Sequence, residues 1–147
     1  MDPSLPQPAG VLRRLGAMLY DTLLIIALLM AITAALLTFT GGEAITPARL
    51  GPFEYAYQAL LVFAVVAFFG WFWTRRGQTL GMTAWRLQVV REDGALLTWA
   101  DTLKRLACAL VSLLAGGLGY FWIWVDRDKL AWHDRWTHTR VILLPKQ

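Results

Sequence analysis

Three stretches of the chain carry no charged residue, and each is as long as a membrane is thick. They run from Thr22 to Gly42, from Tyr55 to Thr74 and from Leu106 to Val125. A hydrocarbon core of about 30 Å needs roughly 20 apolar residues as a helix, so each stretch predicts a span. The apolar segments as a whole extend over 15–42, 55–74 and 106–125. Aromatic residues close the second stretch (Trp71, Phe72, Trp73) and the third (Tyr120, Phe121, Trp122, Trp124), as interfacial anchors do.

Polar stretches punctuate this pattern. Residues 1–12, with Pro3, Pro6 and Pro8, predict a disordered lead, and 145–147 a short tail. The membrane domain proper is expected over 13–144. The apolar run after Arg14 exceeds a cleavable leader's core of 7–15 residues, so a retained span is expected. The Glu43–Glu54 connection is short and turn-rich and predicts two antiparallel helices. The 75–105 connection is longer. Val89-Val90 before Asp93-Gly94 predicts a strand entering a tight turn, with Ala95–Thr98 as the returning strand. Thr139–Leu144 also has strand character. The fold class expected is an all-α membrane protein: a small transmembrane helical bundle with a minor cytoplasmic β element.

The third stretch is ambiguous. Gly116, Gly117 and Gly119 fall at its centre, and each weakens a helix by about 1 kcal/mol relative to Ala. One reading is a re-entrant hairpin whose irregular backbone is buried by protein. The other is a straight span in which the glycines allow close helix packing.

Charge helps to orient the chain. Of 14 Lys and Arg residues, Arg13 and Arg14 precede the first run and Arg49 alone lies between the first two. Six lie between the second and third runs, and five in the tail. The positive-inside rule then puts the N-terminus and the long connection in the cytoplasm of a multi-pass inner-membrane protein. Five positive residues in the tail favour the hairpin, which returns the tail to the same side.

Composition agrees with this class. The chain is 57% hydrophobic, against about 45–50% in soluble domains. Its basic residues flank apolar runs instead of forming one patch, which argues against nucleic acid as a partner. The lipid bilayer is the expected partner, with a second copy or another membrane protein beside it. Cys108 is the single cysteine, which excludes an internal disulfide and a cysteine-cluster metal site.

Candidate chemistry centres on buried charge. Asp21 stands at the mouth of the first span, and ionisable groups in spans are functional candidates. Arg14 shares its helix face but lies seven residues away, beyond a direct i,i+4 pair. Each is therefore expected to take a partner from elsewhere, with Arg105 and the His133-Asp134-Arg135 stretch as sources. A cluster of Arg14, Asp21, Arg105 and Asp134 would bind a charged ligand, relay protons or lock helices together. A desolvated carboxylate without a cationic partner suits proton transfer. His133 and His138 lack the spacing of a helical metal pair, and no metal or cofactor is expected. The Gly77–Gly81 stretch lacks the ending of a phosphate-binding loop and reads as a tight turn before an interfacial helix. No nucleophile–base pair is visible, so an enzyme is not expected.

These motifs together resemble the RDD family of bacterial integral membrane proteins. Arg14-Leu-Gly-Ala-Met-Leu-Tyr-Asp21 is similar to its opening motif, an arginine before an aspartate in the first span. Gly77-Gln78-Thr79-Leu80-Gly81, then Leu87–Val90 with Asp93-Gly94, Arg105, and His133-Asp134-Arg135 leading to Thr139-Arg140-Val141 are similar to later motifs in the same order. The resemblance covers residues 10–144. It assigns the family's one arginine and two aspartates to Arg14, Asp21 and Asp134, with Arg13 as an alternative arginine. Gly77, Gln78, Thr79, Gly81, Arg105 and His133 support them. Met82 departs from the basic residue common there, and Thr137 and His138 from small ones. The family is largely uncharacterised, and a transport role is suspected for it. The resemblance thus implies a small transporter or transport accessory for cations or protons. The alternative is a non-enzymatic scaffold or assembly factor.

Overall fold

A computed structural model describes residues 7–39, 41, 46, 48 and 51–145. Two long helices dominate it: α1 (Val11–Phe39) and α2 (Glu54–Arg75). With 29 and 22 residues, they are about 44 and 33 Å long, enough to cross a bilayer core of about 30 Å. No residue in the most apolar 18-residue stretch of α1 is buried by protein. Leu23, Ile26 and Met30 stand open there. Such a surface is stable only against lipid, which solvates it as a protein core would.

The third apolar run is bent. Helix α4 (Trp99–Leu114) is separated by a short break from α5 (Leu118–Phe121) and a 3-10 turn at Trp122–Trp124, with an angle of 103° between the two parts. Gly116 and Gly117 carry the break at φ +72° and +78°, a left-handed backbone that costs glycine little. α4 alone is about 24 Å long, too short to cross. Its start is set by Thr98 and Asp101, which form a reciprocal capping box. The 103° bend rules out a straight span for this run and leaves a broken span or a re-entrant loop.

A three-stranded antiparallel sheet explains where the chain returns. Its order is β1 (Gln7–Pro8), β3 (Thr139–Leu143), β2 (Leu87–Arg91). Leu87 pairs with Leu143 and Arg91 with Thr139, while Gln7 also meets Leu143. One strand precedes α1, one follows α2 and one ends the described chain. All three therefore lie at one end of the long helices. Alternating burial along β2 and β3 puts Leu87, Val89 and Val141 into the main core with Ala9, Ala17, Trp73, Met82 and Leu97. Two short helices, α3 (Leu80–Ala84) and α6 (Trp132–Trp136), complete this end.

Two local expectations change. Residues 7–12 are not a disordered lead: β1 pairs with β3, Ala9 is fully buried and donates to the Val141 carbonyl, and α1 begins at Val11. Prolines suit such an edge strand because it offers few ladder donors. Ala95–Thr98 is not a returning strand. Arg91 donates one bond to the Ala95 carbonyl around the Gly94 turn, the free edge of β2 is met at Val89 by the Gly77 carbonyl, and the chain then enters α4 at its Thr98 cap. Half of the Glu43–Glu54 connection lies outside the described residues.

Candidate functional site

Asp134 lies at the buried centre of the sheet end. In the first turn of α6, its Oδ2 accepts the Ala131 N–H at 3.1 Å. Arg14, from the first turn of α1, donates to the same oxygen. Arg105, from α4, sits 2.6 Å from Oδ1. Three elements far apart in sequence thus converge on one carboxylate with no exposed surface.

The arginines are held in turn by neutral groups. Arg14 Nε donates to the Ala9 carbonyl at 3.2 Å, and its terminal nitrogen reaches the Lys129 and Val141 carbonyls at 3.4 and 3.5 Å. Arg105 donates to the Thr139 hydroxyl and lies 5.4 Å over the Trp73 ring. Planar, multi-donor guanidinium suits such a site better than a lysine ammonium. Burial alone would push the Asp134 carboxyl up, but Arg105 and Arg14 hold it well below the ordinary carboxylate range. His133 places Nε2 3.5 Å from Asp134 Oδ1. Burial, then the nearby Arg105 charge, push this imidazole down to about 3 against the pull of Asp134. His133 is neutral at physiological pH.

Asp21 stands apart from this triad. Thr79 donates its hydroxyl to Oδ2, and the Gly81 N–H donates to Oδ1 at 2.9 Å. The same Thr79 hydroxyl accepts the Met82 N–H at 3.1 Å and so caps α3. Asp21 has no cationic partner among the described residues. The predicted cluster of Arg14, Asp21, Arg105 and Asp134 is therefore two sites: an ion triad and a carboxylate held by neutral donors.

The Gly77–Gly81 stretch forms the turn and short helix that the sequence predicts, and its glycines explain the approach. A Cβ at Gly81 would lie 2.4 Å from the Ala17 carbonyl oxygen and 2.8 Å from Asp21 Oδ1. Gly77 has φ +64°, and a Cβ there would lie 2.6 Å from the Val89 carbonyl oxygen. Gln78 secures the turn by donating to the Leu87 carbonyl at 2.7 Å.

A model of the RDD family matches residues 8–138. The chain belongs to the RDD family. No curated protein and no solved structure matches it. The family membership agrees with its apolar helices, and its two adjacent arginines point to different places. Arg14 is the one paired with Asp134, whereas Arg13 lines a separate cleft with Trp124 and Lys129.

Both Arg14 and Asp21 line a cavity of about 370 Å³ between α1, α2 and α4. Arg105, His133 and Trp73 also reach it. Sequence reasoning missed Trp73 and Thr139 as parts of the site, since an interfacial tryptophan and a strand threonine have ordinary explanations. The two histidines part company: His133 faces Asp134, and His138 lies 3.4 Å from exposed Glu92.

Proposed function

We propose that this RDD-family protein is a small, non-enzymatic transport protein or transport accessory that handles cations or protons through Asp21. One observation carries the reading. Asp21 is a buried carboxylate beside a cavity, held by the neutral donors Thr79 and Gly81 and by no described cation. Ionisable groups kept at such depth mark ion and proton paths. Asp134, which the sequence suggests as a second ion-binding carboxylate, takes a different role here: Arg14 and Arg105 neutralise it, and it positions α1 against α4 and β3. In this reading the sheet end faces the cytoplasm of the inner membrane, because the runs bearing most of the Lys and Arg residues flank it.

Two long helices and one bent segment enclose little volume. The transport reading therefore calls for a homo-oligomer or a membrane protein partner. Reconstitution in proteoliposomes tests it: Asp21→Asn abolishes proton- or cation-driven flux while the protein stays folded. Unchanged flux in that variant removes Asp21 from the function.

The triad favours a second reading, a scaffold or assembly factor. Its two buried arginines share one buried carboxylate and so join three elements, as a packing lock would. Under this reading a pure monomer shows no flux to lose, and Asp21→Asn lowers only stability or partner capture.

A further inference from the structure

A second cleft opens at the foot of α1 and shares no lining residue with the cavity beside Asp21. Its volume is about 360 Å³, and Val11, Leu12, Arg13, Ile123, Trp124 and Lys129 line it. Val11 and Ile123, packed with Ala131, form a buried apolar floor. Leu12 and Trp124 stand at the rim, 78% and 62% exposed. The bond from Arg14 to the Lys129 carbonyl, 3.4 Å long, holds the turn that bears Lys129 against the first turn of α1.

Two cations reach this cleft without a counterion. Lys129 is exposed and Arg13 is half-buried, so both are open to a ligand. Neither has an anionic partner, and no acid lines the cleft, among the described residues. The acids nearest to Lys129 in sequence are engaged elsewhere. Arg135 reaches Asp126 at 2.6 Å and Asp128 at 3.3 Å, and Asp126 also accepts the Asp128 and Leu130 N–H groups. With exposed Arg127, the cations Arg13, Arg127, Lys129 and Arg135 outnumber Asp126 and Asp128 two to one. Lys129 also holds φ +57°, a left-handed backbone that strains a side chain and that glycine adopts freely. A lysine therefore stands here against the local backbone preference.

The cleft lies at the membrane boundary. With 29 residues, α1 is about 14 Å longer than a bilayer core of about 30 Å, so its first turn stands at headgroup level. Leu12, Leu15 and Leu19 share one helix face and are all exposed, so an apolar stripe leads from the cleft into the hydrocarbon. Trp124 at the rim suits the interface between the two. We propose that this cleft binds the headgroup of an anionic phospholipid from the leaflet that the sheet end faces. Its phosphate lies between Arg13 and Lys129, and its acyl chains follow Leu15 and Leu19. Charge selects the anionic class, because a zwitterionic headgroup brings a cation of its own to two that are already unbalanced. This occupancy does not depend on the ion-handling reading.

Photolabelling of the full-length protein in nanodiscs tests it. The probes are phosphatidylglycerol and phosphatidylcholine, each with a diazirine near the start of one acyl chain. Phosphatidylglycerol is expected to label Leu12, Leu15 or Trp124 at least about fivefold more than phosphatidylcholine, and unlabelled phosphatidylglycerol competes. Arg13→Gln and Lys129→Gly should each reduce this preference about fivefold, the worth of one cation near a membrane surface. Lys129→Gly also relieves the strained backbone, so it should melt no lower than the parent chain and separates binding from folding. Lys104→Gln and Arg140→Gln remove exposed cations outside the cleft and should leave the preference unchanged. Asp21→Asn leaves it unchanged too, whatever happens to flux. Equal labelling by the two probes overturns the headgroup assignment. An equal loss in the Lys104 and Arg140 variants makes the effect one of general positive charge and overturns the site. Competition by millimolar inorganic phosphate at constant ionic strength makes it a site for free anions and overturns the lipid. If Arg13→Gln does not fold, Lys129→Gly and the probe comparison on the unaltered chain decide alone.

Discussion

Arg14 and Asp134 lie 120 residues apart and meet in a buried ion pair that joins the first turn of α1 to α6. Arg105 completes the pair from α4. Removing one partner of such a pair leaves charge buried without a counterion, which costs about 3–5 kcal/mol. Asp134→Asn, leaving two arginines, should therefore unfold the sheet end at a much lower temperature than the parent chain. Arg14→Lys should also lower it, because an ammonium cannot reach Ala9, Asp134, Lys129 and Val141 together. Thermal unfolding in one detergent compares the variants.

Asp21 should behave differently. Asn at this position still accepts from Gly81 and can donate to the Thr79 oxygen. Asp21→Asn is thus expected to cost about 1–2 kcal/mol, near the worth of its charge-assisted bonds. Thr79→Val removes both the donor to Asp21 and the cap of α3 and should cost more, whereas Thr79→Ser should recover most of the loss. A result in which Asp21→Asn destabilises as much as Asp134→Asn would show that Asp21 has a charged partner.

Gly81→Ala should be costly for a residue so small. Its Cβ would press on the Ala17 carbonyl at 2.4 Å, which is backbone and cannot rotate away. Forcing α3 off α1 is expected to cost about 1–3 kcal/mol. Gly10→Ala is the control, since nothing lies within 4 Å of its added carbon. Equal melting temperatures for the two variants would contradict the close approach.

Acid should weaken the fold before its carboxylates titrate. The folded-state pKa of His133 is about 3, against 6.5 for the free group. Between these values the unfolded chain binds a proton that the folded chain refuses, so stability falls as pH drops below about 6.5. For one group the slope approaches about 1.4 kcal/mol per pH unit. His133→Gln should flatten urea-unfolding stability between pH 6.5 and 4.5.

β1 and β3 pair, so both ends of the chain should face one side of the membrane. With Cys108→Ser as background, a single cysteine at Ser4 and one at Gln147 should both resist an impermeant thiol reagent in intact cells and both react after permeabilisation. Opposite behaviour at the two positions would require the third apolar segment to cross.

Much of this architecture was readable in the chain. An uncharged run of about 20 residues has one stable environment, so α1 and α2 follow from composition and length. Gly77 and Gly81 marked a tight turn and Asp93-Gly94 another, because those backbones exclude most other residues. The sequence by itself thus determined the membrane class, the two spans, the turn at Gly77 and the residues that carry buried charge. Tertiary structure alone decided which charges meet. Arg14 could have turned to Asp21 on its own helix, but the helix holds them about 10 Å apart. Only the folding of α4, α6 and β3 onto one end delivers Arg105, Asp134 and Thr139 to Arg14. Asp21 likewise found Thr79 and Gly81, residues that local propensity explains without it. The third run had enough apolar length for a span, and its glycines permitted either outcome. Pairing of β3 with β2 and β1 brought the chain back, because strand donors and acceptors are satisfied only across a neighbouring strand.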